Sequence, residues 1–131
     1  MIVADSSAII AFFLREEGWS ELSKYMAATV SVDHTVKEFY NAVWKAVNLK
    51  RIGVEEASRV LALFKEYVER NMALRREEEY TDKAFEIALE NGITVYDALY
   101  IALAFHEKGS LLTLDDKQRY ASKRLGITTI P

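Results

Sequence analysis

Ile2-Val3-Ala4-Asp5-Ser6-Ser7-Ala8-Ile9-Ile10-Ala11-Phe12-Phe13-Leu14 opens the chain with three apolar residues, one acid, two serines and then the longest unbroken apolar run, Ala8 to Leu14. A three-residue apolar run reads as a short strand, and Asp5 stands where a helix from Ser7 to Leu14 needs a cap. Strand, acid, helix is the opening of an α/β unit. Three more short apolar runs share its character: Val30-Ser31-Val32, Leu111-Leu112-Thr113-Leu114 and Thr128-Thr129-Ile130. Runs that are apolar on both faces suit a parallel sheet covered on both sides.

Helical patterns separate these runs. Val54, Ala57, Val60, Leu61, Phe64, Tyr67 and Val68 recur every three or four residues, an amphipathic stripe. Ala84, Phe85, Ala88 and Leu89 form another, stopped by Asn91-Gly92. Tyr96 to Lys108 is a third helix, with Thr94 to cap its start and Gly109 to end it, and Lys117 to Leu125 is a fourth that stops at Gly126. From Glu69 to Tyr80 the periodicity fades, and Glu77-Glu78-Glu79 reads as solvated surface. The alternation predicts one domain over residues 1–131, a three-layer α/β/α sandwich around a short parallel sheet of four or five strands.

Composition narrows the class. Of 131 residues, 50% are hydrophobic and 28% charged, the balance of a globular protein. With no cysteine, disulfides, thiolate metal sites and a Cys nucleophile are all excluded. No apolar run reaches the ~18 residues of a membrane helix, and the amino terminus lacks the basic residues of a secretory leader, so the expected location is the cytoplasm, with no membrane partner. Lys+Arg 17 against Asp+Glu 20 gives a net charge of −3, which by itself argues against a nucleic-acid partner.

The acids are not scattered. Ligands of open parallel sheets gather beyond the carboxyl ends of the strands. Asp5 follows the first strand, Asp115 and Asp116 follow the third, Glu38 lies early in the helix after the second, and Asp97 lies in the first turn of the helix that Thr94 caps. Each residue also has a plain alternative: Asp5 as a cap, Asp97 as a helix-dipole acid, Glu38 as surface, Asp115 and Asp116 as turn and cap. Four carboxylates from distant segments at one sheet edge repel one another unless a hard cation such as Mg²⁺ or Mn²⁺ joins them, and one or two such ions serve phosphodiester hydrolysis. Ser6, Ser7, Thr113 and Asn41 are placed to hold the carboxylates. Without Asp5, Glu38, Asp97 and Asp115 the chain carries 16 acids against 17 bases, so its acidity is concentrated in this one place.

Val3-Ala4-Asp5-Ser6-Ser7-Ala8, Lys37-Glu38-Phe39-Tyr40-Asn41, Val95-Tyr96-Asp97-Ala98-Leu99-Tyr100-Ile101-Ala102-Leu103-Ala104 and Leu112-Thr113-Leu114-Asp115-Asp116 resemble the successive motifs of PIN-domain ribonucleases, and the size resembles the toxin of a VapBC-type toxin–antitoxin pair. The resemblance spans nearly the whole chain. It implies a PIN-like fold and a Mg²⁺- or Mn²⁺-dependent endoribonuclease with Asp5, Glu38, Asp97 and Asp115 as catalytic, metal-binding acids and Asp116 as an auxiliary or helix cap. It also implies a homodimer and a small antitoxin. His34 departs from the family, and its i, i+4 spacing to Glu38 admits a histidine ligand, although a solvated or capping histidine is the preferred reading.

An RNA substrate must approach past cations, for which Arg15, Lys45, Lys50, Arg51, Lys117 and Arg119 are the candidates, each with simple surface as its alternative. Trp19, Phe12 and Phe13 offer either core or a groove for an antitoxin helix, and Leu63 on the Val54–Val68 helix a dimer contact. Rival readings are a phosphoacceptor-like Mg²⁺-binding regulatory module, a catalytically silent ion-binding module, and a metal-free ribonuclease using His34 and His106. In a phosphoacceptor domain the acid pair should follow the first strand, and here it comes late.

Overall fold

The computed structural model describes Met1–Pro131. Five parallel strands form one sheet: β1 (Ile2–Ala4), β2 (Thr29–Val32), β3 (Met72–Arg75), β4 (Ser110–Leu112) and β5 (Thr129–Ile130), in the order β3-β2-β1-β4-β5. The helices are α1 (Ser6–Phe13), α2 (Trp19–Leu22), α3 (His34–Asn48), α4 (Val54–Arg70), α5 (Thr81–Asn91), α6 (Val95–Glu107) and α7 (Asp116–Arg124). The chain builds outward from β1 through β2 to β3, then returns to lay β4 on the other side of β1. The junction of β1 and β4 is therefore the topological switch point, where such sheets leave a crevice beyond their carboxyl ends.

Side chains alternate across the strands to feed two cores. Val3, Val30, Val32 and Leu111 pack with α5, α6 and α7 on one face, whereas Ala4, Leu112 and Met72 pack with α1, α3 and α4 on the other. Helix α6 is buried from Ala98 to Ala104, and its alanines let it lie close against the sheet. No single helix is long and apolar enough to cross a membrane. On the opposite face Phe39 and Phe64 stack at 4.0 Å, with Phe13 edge-on to both.

Three details depart from the sequence reading. The Glu69–Tyr80 stretch contains β3, an edge strand in register with β2 from Thr29 opposite Met72 to Val32 opposite Arg75. Glu77–Glu79 form a 3₁₀ turn in which Glu77 is half-buried and ion-paired to Lys37 rather than simply solvated. Helix α6 ends on Lys108, which itself adopts the left-handed conformation at φ 54. Gly109 is needed for space instead: a Cβ there would meet the Met1 carbonyl oxygen at 2.9 Å.

One buried polar cluster ties α4 to the sheet. The Tyr67 hydroxyl donates to the Met26 carbonyl at 2.8 Å and lies 2.8 Å from Thr29 Oγ1, joining α4 to the start of β2. Removing one partner of a buried bond leaves the others unsatisfied, so Tyr67→Phe should lower unfolding stability by about 1–3 kcal/mol in urea titrations.

Candidate active site

Asp5 follows β1 directly, with its backbone N–H donating to the Leu112 carbonyl of β4 at 3.0 Å. Its carboxylate is fully buried. Oδ1 accepts from Ser7 Oγ at 2.7 Å and from the Ala8 N–H at 2.9 Å, and Oδ2 accepts from Thr113 Oγ1 at 2.5 Å. The two hydroxyls in turn accept from the loop after β4, Ser7 from the Leu114 N–H and Thr113 from the Asp115 N–H, each at 3.0 Å. Asp5 is thus both the cap of α1 and the anchor of the loop that carries Asp115. Burial is the main cause that lifts its pKa to about 6. The Thr113, Ala8 and Ser7 hydrogen bonds oppose the rise, and the charge of Asp115 adds to it.

Asp97 sits in the first turn of α6, whose N-cap Thr94 accepts from the Asp97 N–H at 3.1 Å. Its pKa is raised by burial first, then by the negative charges of Asp115 and Glu38, against the influence of Thr94 and Gln118. Asp115 caps α7 by accepting from the Lys117 N–H at 2.8 Å. Glu38, in the second turn of α3, accepts a 2.5 Å hydrogen bond from the Tyr100 hydroxyl of α6. Burial and the Glu38 charge raise the Tyr100 pKa, so the phenol remains the donor. Electrostatic contact therefore runs from Asp5 through Asp115 and Asp97 to Glu38.

The chemistry of this set fits a hard divalent cation. All four donors are carboxylates, and no lysine or arginine is ion-paired to any of them; only His34 approaches Glu38. No three of them stand close enough to form a ready-made ligand shell. Mg²⁺ does not need one, since it usually keeps several waters and takes only one or two carboxylates directly.

Other sequence-selected residues divide. Ser7 and Thr113 hold Asp5 as described, whereas Asn41 is exposed with no side-chain hydrogen bond, and the Glu38 carboxylate is held by Tyr100 instead. Asp116 lies beyond the cap in the first turn of α7, exposed and paired to Arg119 at 2.8 Å. Arg119 also donates to the Thr113 carbonyl at 2.9 Å, so it braces the loop. Lys117 is exposed beside Asp115. Arg15, Lys45 and Arg51 line a separate cleft at the carboxyl ends of α1 and α3; the helical rise per residue puts Lys45 about 10 Å from Glu38 and Arg15 about 15 Å from Asp5.

His34 is neither solvated nor a cap. Its side chain is only 12% exposed, with Nε2 3.5 Å from Glu38 and Nδ1 3.9 Å from Glu77. His106 lies on the exposed far part of α6, lining a cleft with Lys108 and Thr128, which removes the paired-histidine reading. Two site residues escaped the sequence reading. Tyr100 and the buried Gln118, whose Oε1 has no partner, each lie three residues after a site acid on its own helix, and that spacing was the available signal.

The PIN domain family model matches residues 2–124. The chain belongs to the PIN-domain family. It is 36% identical over 118 residues to Ribonuclease VapC3 of Pyrobaculum aerophilum, covering 87% of this chain and 88% of that one. It is 29% identical over 126 residues to Exonuclease VapC9 of the same organism, covering 93% and 85%. The crystal structure of PAE2754, also from Pyrobaculum aerophilum, superposes with a TM-score of 0.75 at 26% identity over 98% of this chain and 87% of that one. The shared PIN fold accounts for the five-stranded parallel sheet and its switch-point crevice.

The raised pKa of Asp5 has a thermodynamic consequence. The native state binds this proton more tightly than the unfolded chain, so its contribution to stability is present at low pH and is lost as pH rises from about 4 to about 6. Asp5→Asn, which cannot titrate, should gain about 2 kcal/mol on the wild type between pH 4 and pH 7, read from urea unfolding in EDTA.

Proposed function

We propose that this protein is a divalent-metal-dependent endoribonuclease and the toxin of a VapBC-type toxin–antitoxin pair. The observation that carries this reading is the buried Asp5 carboxylate, fixed by three hydrogen bonds beside three further carboxylates that no lysine or arginine neutralises. The kinship with a protein named ribonuclease supports RNA as the substrate.

Asp5, Asp97, Asp115 and Glu38 are the residues that would hold Mg²⁺ or Mn²⁺, one or two ions. Bound there, such an ion supplies charge neutralisation at the scissile phosphate and lowers the pKa of its water. The protein's own part is positioning. Ser7 and Thr113 keep both Asp5 oxygens in place, the cap of α7 orients Asp115, and Tyr100 fixes the Glu38 rotamer. Lys117, exposed beside Asp115, supplies a cation for the incoming RNA backbone.

For the antitoxin, a cleft of about 470 Å³ between α1, α2 and α4 supplies a seat, lined by Phe12, Phe13, Trp19 and the 58%-exposed Leu63 and edged by Arg15 and Arg70. An apolar floor with a charged rim suits the amphipathic helix of a small partner. The homodimer and the cytoplasmic location belong to the same reading.

Cleavage of a mixed single-stranded RNA pool tests the activity. Mg²⁺ should support it, EDTA should abolish it, and Asp97→Asn should reduce it by at least about a hundredfold. Full activity in EDTA or in Asp97→Asn would overturn the reading. Because one relative is named an exonuclease, a circular RNA belongs in the same assay, and its linearisation shows internal cutting. Tyr100→Phe keeps the ring and removes only the hydroxyl on Glu38. It should raise the Mg²⁺ concentration for half-maximal cleavage about tenfold, in the range seen when a ligand's hydrogen-bond partner is lost.

A further inference from the structure

Tyr96 directly precedes Asp97, yet its side chain is 61% exposed. It is not free in orientation. The Tyr96 ring stacks on His34 with centroids 5.0 Å apart and planes 13° from parallel. His34 is in turn fixed from both edges, with Glu38 3.5 Å from Nε2 and Glu77 3.9 Å from Nδ1. Glu77 is itself anchored, its carboxylate by Lys37 Nζ at 3.1 Å and its backbone N–H by Asp33 Oδ1 at 3.0 Å. The starts of α3 and α6 and the turn after β3 therefore converge on one aromatic pair, ordered beneath and open above, at the border of the carboxylate site.

We infer that Tyr96, backed by His34, is a stacking platform for one unpaired base of a single-stranded RNA, next to the phosphate held at the carboxylates. The inference rests on the ribonuclease reading and assigns to it a base subsite. The chemistry favours a base over a protein side chain as occupant. A flat ring with one face covered and one face wet presents a π surface of the size of a nucleobase, and stacking on such surfaces is how proteins grip single strands without reading their sequence. The location adds to this. Tyr96 is covalently adjacent to Asp97 and reaches Glu38 through His34, so a chain whose phosphate lies at the acids brings a neighbouring base to the ring. Base stacking needs no cationic partner, which suits a rim that already holds Glu38, Glu77 and Asp97.

A set of 12-nucleotide single-stranded RNAs carrying the fluorescent base 2-aminopurine at successive positions tests the platform, first with Ca²⁺ in place of Mg²⁺, so that the carboxylates are neutralised and the phosphate can sit beside them. Stacking quenches this base. The wild type and Tyr96→Phe should both quench it at one position, and Tyr96→Ala should lose the quench and bind about tenfold more weakly. In Mg²⁺, Tyr96→Ala should raise KM more than it lowers kcat. Phe85→Ala, which removes an exposed aromatic from α5, should leave binding unchanged. An undiminished quench in Tyr96→Ala, equal losses in Tyr96→Phe and Tyr96→Ala, or no RNA binding by the wild type overturns the platform. A protein partner docking on Tyr96 would appear as unchanged RNA binding in the alanine variant, which also overturns it. Binding and quenching without cleavage in Mg²⁺ would instead remove the nuclease reading and leave the platform standing.

Discussion

A carboxylate buried without a counter-charge is the constraint around which the molecule is arranged. Asp5 stands at the switch point between β1 and β4, where burial disfavours its charge and hydrogen bonds from Ser7, Ala8 and Thr113 favour it. Desolvation exceeds the hydrogen bonds, so the group retains its proton to a higher pH than an exposed aspartate. A stabilising design would place a lysine or arginine opposite it. The fold instead brings more negative charge, Asp115 against Asp5 and Asp97 against both Asp115 and Glu38. Repulsion retained in this way leaves the carboxylates suited to a cation from solution rather than to one another.

The same hydrogen bonds determine how the loop after β4 folds. Thr113 and Ser7 spend their hydroxyl protons on Asp5 and their lone pairs on the Asp115 and Leu114 N–H groups. This orders the loop before α7 begins and lets Asp115 cap it. Arg119 reaches back to the Thr113 carbonyl and to Asp116, closing the loop from the other side. The cap reading therefore does not compete with a site reading, since a capping acid at a strand end already stands beside the crevice.

Much of this was legible in the chain because the cues are local. Asp5 after three apolar residues, Thr94 three residues before Asp97 and the glycine stops after α5 and α7 each act over one turn of helix. What was not legible depended on distance. Strand β3 has only Met72 buried and lies at the sheet edge, so four residues with one core side chain leave too little alternation to read. Arg15 follows α1 and Lys45 lies in the last turn of α3, so the length of each helix carries them away from the acids. Asn41 failed because sharing a helix with Glu38 does not supply a partner for its amide, whereas Tyr100 succeeds from another helix altogether.

The two halves of the site differ in how they are held. Asp5 and Asp115 are fixed by hydroxyls and backbone N–H groups of the residues just after β1 and β4, a short-range scaffold. Glu38 and Asp97 lie on separate helices, and the bridge between those helices is aromatic, with Tyr100 bonded to Glu38 beneath and Tyr96 stacked on His34 above. The phenol bond and the ring stack both join one helix to the other, whereas the capped loop also bonds within itself. No three of the carboxylates stand close enough to form one shell, and their like charges oppose closer approach. The hydroxyl-bound half is thus held where β1 and β4 end, and the aromatic-bridged half depends on how α3 and α6 pack. An ion that keeps its waters suits such a site, because water bridges absorb the mismatch that a rigid cage of four carboxylates would not.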